Sequence, residues 1–152
     1  MIEFENKIEI KKPITEVFAF ISDFENIPKW NYYVFEVKKI SKGKTKVGTI
    51  FHQTRKSDKQ SFKIIEYETD KEVTIQTLPN SSPAFEMIFN FVALENGTRL
   101  IYKWKLDSGK LRLIEKLLKN KVRKAVMQNL MKLKELLENR SVQLQDGRLV
   151  QI

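Results

Sequence analysis

The 152-residue chain has no cysteine, one histidine and no long apolar run, and each shortage removes a class of function. Without cysteine there are no disulfides, no thiolate nucleophile and no thiolate metal site, a composition that fits a reducing compartment. A single histidine, with no acidic cluster at ligand spacing, leaves no metal centre to expect, and no cofactor. No stretch approaches the roughly 20 apolar residues that span a bilayer as a helix. The opening MIEFENKIEI has neither a basic start nor a continuous apolar segment, so no secretion signal is expected and a cytoplasmic location is. Glycine-rich phosphate loops, the G-x-S-x-G nucleophile turn, internal repeats and low-complexity blocks are also missing.

What remains is an ordinary folded composition, with 41% apolar, 11% aromatic and 31% charged residues. A single domain of this length buries roughly 70% of the surface of its unfolded chain, enough for a core without staples. The net charge of +9 is unevenly spread. Residues 1–107 carry +2, residues 108–140 carry +7, and the last twelve residues are neutral. An electrostatic partner would therefore meet the segment of Lys119, Lys121, Arg123 and Lys124, and a weak contact with nucleic acid or an anionic membrane is one reading of that charge. A solvated helix face is the plainer one, since no aromatics interleave with the charges.

Ile2, Phe4, Ile8 and Ile10 alternate with charged residues, the period-two mark of a strand with one buried face, and Asn6 interrupts the row. Pro13 stops that ladder, and Ile14, Val17, Phe18 and Ile21 follow at helical spacing. SDFEN reads as the cap and first turn of a second short helix, capped by Asp23 and ended by Pro28, with Trp30 folding back over its end. From Val34 to Leu106 six short extended segments alternate with turn residues, which implies an antiparallel meander. Asn96-Gly97 predicts a type I′ hairpin turn with positive φ at both residues. Phe85, Met87, Phe89 and Phe91 share one face of the fifth segment, and Leu100, Tyr102, Trp104 and Leu106 share one face of the sixth. After Gly109, Leu111, Ile114, Leu118, Val122, Val126, Leu130, Leu133 and Leu137 recur every three or four residues, predicting an amphipathic helix of about 28 residues. Residues 1–140 read as one domain, and 141–152 as a tail that is either a hairpin around Asp146-Gly147 or disordered.

This order, with the stretches IKKPITEVFAFISDFENIPKWN, KVGTIF and IIEYETDKEVTI, resembles the helix-grip fold of the START superfamily, also called SRPBCC, and its polyketide cyclase/dehydrase-like branch. The resemblance covers roughly residues 1–138. It implies an α+β fold of β-α-α-β6-α order, a curved antiparallel sheet wrapped around a long C-terminal helix, with a cavity between the two. Members of that superfamily include lipid transfer domains, pollen-allergen proteins, aromatase/cyclases and a ribosome-interacting toxin family, so the pattern marks a scaffold and names no reaction.

The resemblance turns the aromatic face from a plain core into a candidate binding site for a small hydrophobic molecule, whether lipid, polyketide-like, isoprenoid or aromatic. The expected lining is Phe62, Ile75, Phe85, Met87, Phe89, Tyr102 and Trp104 from the sheet, Val122, Val126 and Leu130 from the helix, and Trp30 at the core or the rim. A cyclase or dehydratase using the same cavity is the enzymatic alternative, with His52 and Tyr102 as weak catalytic candidates. Against His52, strand alternation places it opposite Phe51. Glu66 and Glu68 could form a carboxylate pair, but they adjoin a turn where solvent is expected.

Overall fold

Alternation in MIEFENKIEI forms strand β1 (Ile2–Ile10), whose Ile2, Asn6, Ile8 and Ile10 are buried while Glu3, Glu5, Lys7 and Glu9 face solvent. The computed structural model describes residues 1–152. After β1 come α1 (Ile14–Ser22), a 3-10 helix (Phe24–Lys29), and the strands β2 (Val34–Lys39), β3 (Ile50–Arg55), β4 (Lys59–Glu68), β5 (Glu72–Thr77), β6 (Ala84–Leu94) and β7 (Gly97–Asp107). Helix α2 (Arg112–Asn139) and a terminal pair, β8 (Ser141–Gln143) and β9 (Leu149–Gln151), complete the chain. This is the helix-grip order.

The seven strands form one antiparallel sheet in the order β1-β7-β6-β5-β4-β3-β2. Consecutive strands from β2 to β7 are neighbours, whereas β1 pairs with β7, so α1 and the 3-10 helix carry the chain from one edge of the sheet to the other. Register shifts between Val34 and Glu36 in β2 and between Ile64 and Glu66 in β4 interrupt the ladder. Irregularities of this kind add bend and twist to a sheet. The second one resets the alternation of β4. Tyr67 packs on the core, 5.6 Å from the Phe18 ring, while Glu66 and Glu68 are exposed and Glu68 pairs with Lys71 at 3.4 Å.

Three local expectations are corrected. Asp23 holds the N-terminal position of the 3-10 helix without a side-chain capping bond, and Pro28 lies inside that helix rather than ending it. The β6–β7 hairpin has no positive φ at Asn96 or Gly97, so it is not a type I′ turn. Gly97 is needed for another reason: a Cβ there would overlap the Ile10 carbonyl oxygen, where the start of β7 meets the end of β1. Finally, Leu111 and Ile114 are exposed together with Leu113 and Leu117, because the first turns of α2 point only Glu115 and Leu118 inward.

The tail is a hairpin. Arg140 takes the left-handed conformation that ends α2, and the chain reverses directly into β8. Its turn closes through the Gly147 amide bonded to the Leu144 carbonyl, with Gly147 at φ +86°. Val142 and Leu144 are buried against Leu136. Gln145 donates to Asn129 at 3.3 Å, and Arg148 donates to the Pro28 carbonyl at 3.3 Å.

Candidate functional site

Phe24, from the 3-10 helix, decides where the interior is solid and where it is open. Its ring packs on Phe51, Phe62 and Phe89, at centroid distances of 5.5, 5.9 and 5.8 Å, and fills one end of the space beneath the sheet. At the other end, between β5–β7, the segment around Trp30 and the middle of α2, there is a cavity of about 440 Å³. That volume lies in the range of small-molecule pockets. A second depression, of about 340 Å³, is lined mainly by polar residues such as Asn80 and Ser81, with only 4 of its 13 lining residues hydrophobic.

Nine of the eleven expected lining residues meet at the cavity. Phe85, Met87 and Phe89 reach it from β6, Tyr102 and Trp104 from β7, and Ile75 from β5. Val122 and Val126 close it from α2, and Trp30 walls it from the end of the 3-10 helix. Phe62 and Leu130 do not reach it. Phe62 is fully buried in the stack with Phe51, 5.4 Å between centroids, and Leu130 is fully buried lower on α2 beside Leu133 and Leu137.

His52, a weak catalytic candidate, does not reach the cavity. It lies beyond the cavity lining on the face opposite the buried Phe51 and Gln53, and its Nδ1 is 3.0 Å from the Ser61 hydroxyl. Strand alternation enforces this, since neighbours on a strand point to opposite faces. Tyr102 is in the wall, stacked on Phe89 at 4.3 Å, and its hydroxyl donates to the Met87 sulfur at 3.0 Å. Burial pushes its phenol far above the ordinary value of 10.0; the Trp104 indole counters that push slightly without reaching hydrogen-bonding geometry. Tyr102 is therefore a proton donor in a hydrogen bond and not a base. The Trp30 and Trp104 indole N–H groups are buried without partners, a costly arrangement that recurs at functional cavities.

Sequence patterning missed the loop side of the site. Ile27, Asn31, Tyr33 and Val34 line the cavity together with Gln53, Arg55, Lys56 and Ser57 from β3 and the following turn, and with Asn129 from α2. No aspartate or glutamate lines it. Arg55 is held by a two-pronged pair with Asp58, at 2.8 and 2.6 Å, and this guanidinium keeps the Asp58 carboxyl below its usual value. The Lys56 ammonium sits 3.4 Å over the Tyr32 ring.

The basic residues of α2 have mixed duties. Arg123 is bonded to Asn6, Lys134 to Glu138 and Lys132 to the Gln143 carbonyl, whereas Lys119 and Lys124 are exposed and Lys121 lines the cavity. No helix is long and apolar enough to cross a membrane.

Comparison with known proteins places this geometry. A family model described as polyketide cyclase/dehydrase and lipid transport matches residues 1–138. No curated protein sequence matches the chain. Among solved structures, a START superfamily protein from Mycobacterium smegmatis superposes with a TM-score of 0.73 at 13% identity, covering 90% of this chain and 99% of that one. The di-domain ARO/CYC StfQ from the steffimycin biosynthetic pathway superposes with a TM-score of 0.69 at 12% identity, over 91% of this chain and 50% of that one. The Aha1 dimer from Colwellia psychrerythraea gives 0.67 at 19% identity, over 91% and 97%. At these identities the likeness is one of fold, and neither family nor fold supports a contact with nucleic acid or membrane.

Proposed function

The chain belongs to the polyketide cyclase/dehydrase and lipid transport family, and on that footing we propose that it takes up a small, largely apolar molecule in the cavity between the sheet and α2. The observation that carries the reading is the cavity itself: about 440 Å³, with 15 of its 22 lining residues apolar, beside a core of 25 buried residues. A domain that needed only a core would close such a space, because each unfilled void costs stability. Binding would draw on burial of ligand surface at about 25 cal/mol per Å², less the cost of ordering the ligand. The aromatic walls suit planar or chain-like molecules, and Tyr102, Gln53 and Asn129 supply a few polar atoms for orientation.

Binding is favoured over a cyclase or dehydratase reaction. With His52 outside, proton transfer would rest on the Tyr102 phenol, which burial keeps protonated. Native mass spectrometry of protein purified without added ligand tests the reading. The expected result is an adduct of a small organic molecule that disappears on denaturation. Bare protein that also fails to take up a neutral apolar dye would overturn it.

A further inference from the structure

The charge around the cavity narrows the class of ligand. Its wall is apolar within, and its ionisable lining residues besides Tyr102 and Tyr33 are Arg55, Lys56 and Lys121, all cations. Asp58 neutralises Arg55. Lys56 and Lys121 form no ion pair with any carboxylate. Both are exposed, and they come from different elements, the turn after β3 and the second third of α2. The Lys56 ammonium rests 3.4 Å over the Tyr32 ring, a weak contact from which it is free to turn toward a ligand. An apolar pocket whose lining includes two exposed lysines without ion pairs, and no acid, favours one end of a ligand being negative.

Resting on the binding reading above, we infer that the ligand is an amphiphile with an anionic end, a carboxylate or a phosphate, whose apolar body enters the cavity while its charge stays at the mouth between Lys56 and Lys121. The division follows the cost of burial. A carboxylate carried down to Tyr102 and Trp104 would lose its hydration without a cation to replace it, whereas at the mouth it keeps water and gains two charge-assisted contacts. Lysine serves this purpose as a mobile point charge on a flexible stem. The attraction between such exposed charges is screened by salt, so affinity for an anionic ligand should fall as ionic strength rises.

Three probes with the same chain test this: laurate, dodecanol and dodecyltrimethylammonium, titrated below their micelle concentrations by displacement of the neutral dye phenylnaphthylamine. At low salt laurate is expected to bind about tenfold more tightly than dodecanol, the scale of one or two charge-assisted contacts, with the cationic probe weakest. The double variant Lys56→Gln/Lys121→Gln should bring laurate down to the level of dodecanol measured on the same variant. Lys116→Gln, an exposed lysine of α2 outside the lining, should leave the ranking intact. Dodecanol binding as tightly as laurate, or a laurate preference that survives the double variant or is lost equally in Lys116→Gln, would overturn the anionic-end inference while leaving the cavity reading in place. If neither the dye nor any of the three probes binds, the cavity reading fails and takes the inference with it.

Discussion

Asn6 ties α2 to β1 through Arg123: its side-chain amide donates to the Arg123 carbonyl at 3.2 Å, and its oxygen accepts from the guanidinium at 3.4 Å. Asn6 is nearly fully buried, in the row of otherwise apolar side chains that β1 turns toward the helix. A polar group at such a place earns its position by fixing the helix over the sheet at one register. Asn6→Ala should lower stability by about 1–2 kcal/mol, the scale of one or two buried hydrogen bonds. Amide exchange should rise across Lys121–Val126, and unchanged exchange there would show that Asn6 does not anchor the helix.

Trp30 is 2% exposed and belongs to the core as well as to the cavity wall. Trp30→Ala should cost about 3–5 kcal/mol, as for other large aromatic truncations in cores, and Trp30→Phe much less. Thermal melting with dye binding separates the two roles. Unchanged melting together with altered uptake would make Trp30 a gate rather than a structural wall.

Acid should destabilise the fold through specific carboxylates. Bonds from the Met1 amine and from the amide and hydroxyl of Ser108 hold Glu115 down to about 2. Burial alone would raise Glu138, but the Lys134 ammonium and the Lys11 amide outweigh it and hold the group below its usual value. A carboxylate depressed on folding contributes stability that is present above its ordinary value, 4.5 for glutamate, and is lost as pH falls through the folded value. Melting temperature should therefore decline below that point and keep declining toward about 2, and Glu115→Gln should flatten the lower part of the curve. Tyr102 has the opposite sign: its raised value contributes stability below 10.0 that is lost as pH rises beyond it. Tyr102→Phe should soften the alkaline decline, and identical alkaline slopes would contradict the assignment.

Removing residues 141–152 should destabilise the domain without unfolding it. The hairpin buries Val142 and Leu144 on Leu136, and the net loss should be about 2 kcal/mol once the ordering of the tail is set against that burial. A truncated protein with unchanged melting would show that the hairpin only rests on the surface.

Much of this architecture was legible in the sequence because its periods are clean. Strand alternation in MIEFENKIEI and AFEMIFNFVAL, and the three-to-four spacing from Leu118 to Leu137, identify which side chains share a face, and Phe85, Met87, Phe89, Val122 and Val126 of the cavity lie on faces so identified. Periodicity fails where the backbone breaks step or where loops converge. The irregularity after Ile64 moves Tyr67 inward, which no count by twos can foresee. Leu111 and Ile114 keep the helical period yet stay in solvent, since period identifies a helix face but not where its support ends. Phe62 has the right face but lies under Phe24, so the 3-10 helix excludes it from the cavity. Asn31, Lys56 and Ser57 reach the cavity from loops, and their convergence is a tertiary fact with no local signal.

The most direct test of the central claim is titration of phenylnaphthylamine into the wild-type protein and into Ala125→Trp, a substitution that places a large ring on the cavity side of α2. The account predicts saturable uptake by the wild type and its loss in a variant that still melts cooperatively. Equal uptake by a folded Ala125→Trp would contradict it, because the dye would then be binding somewhere other than the cavity beneath α2.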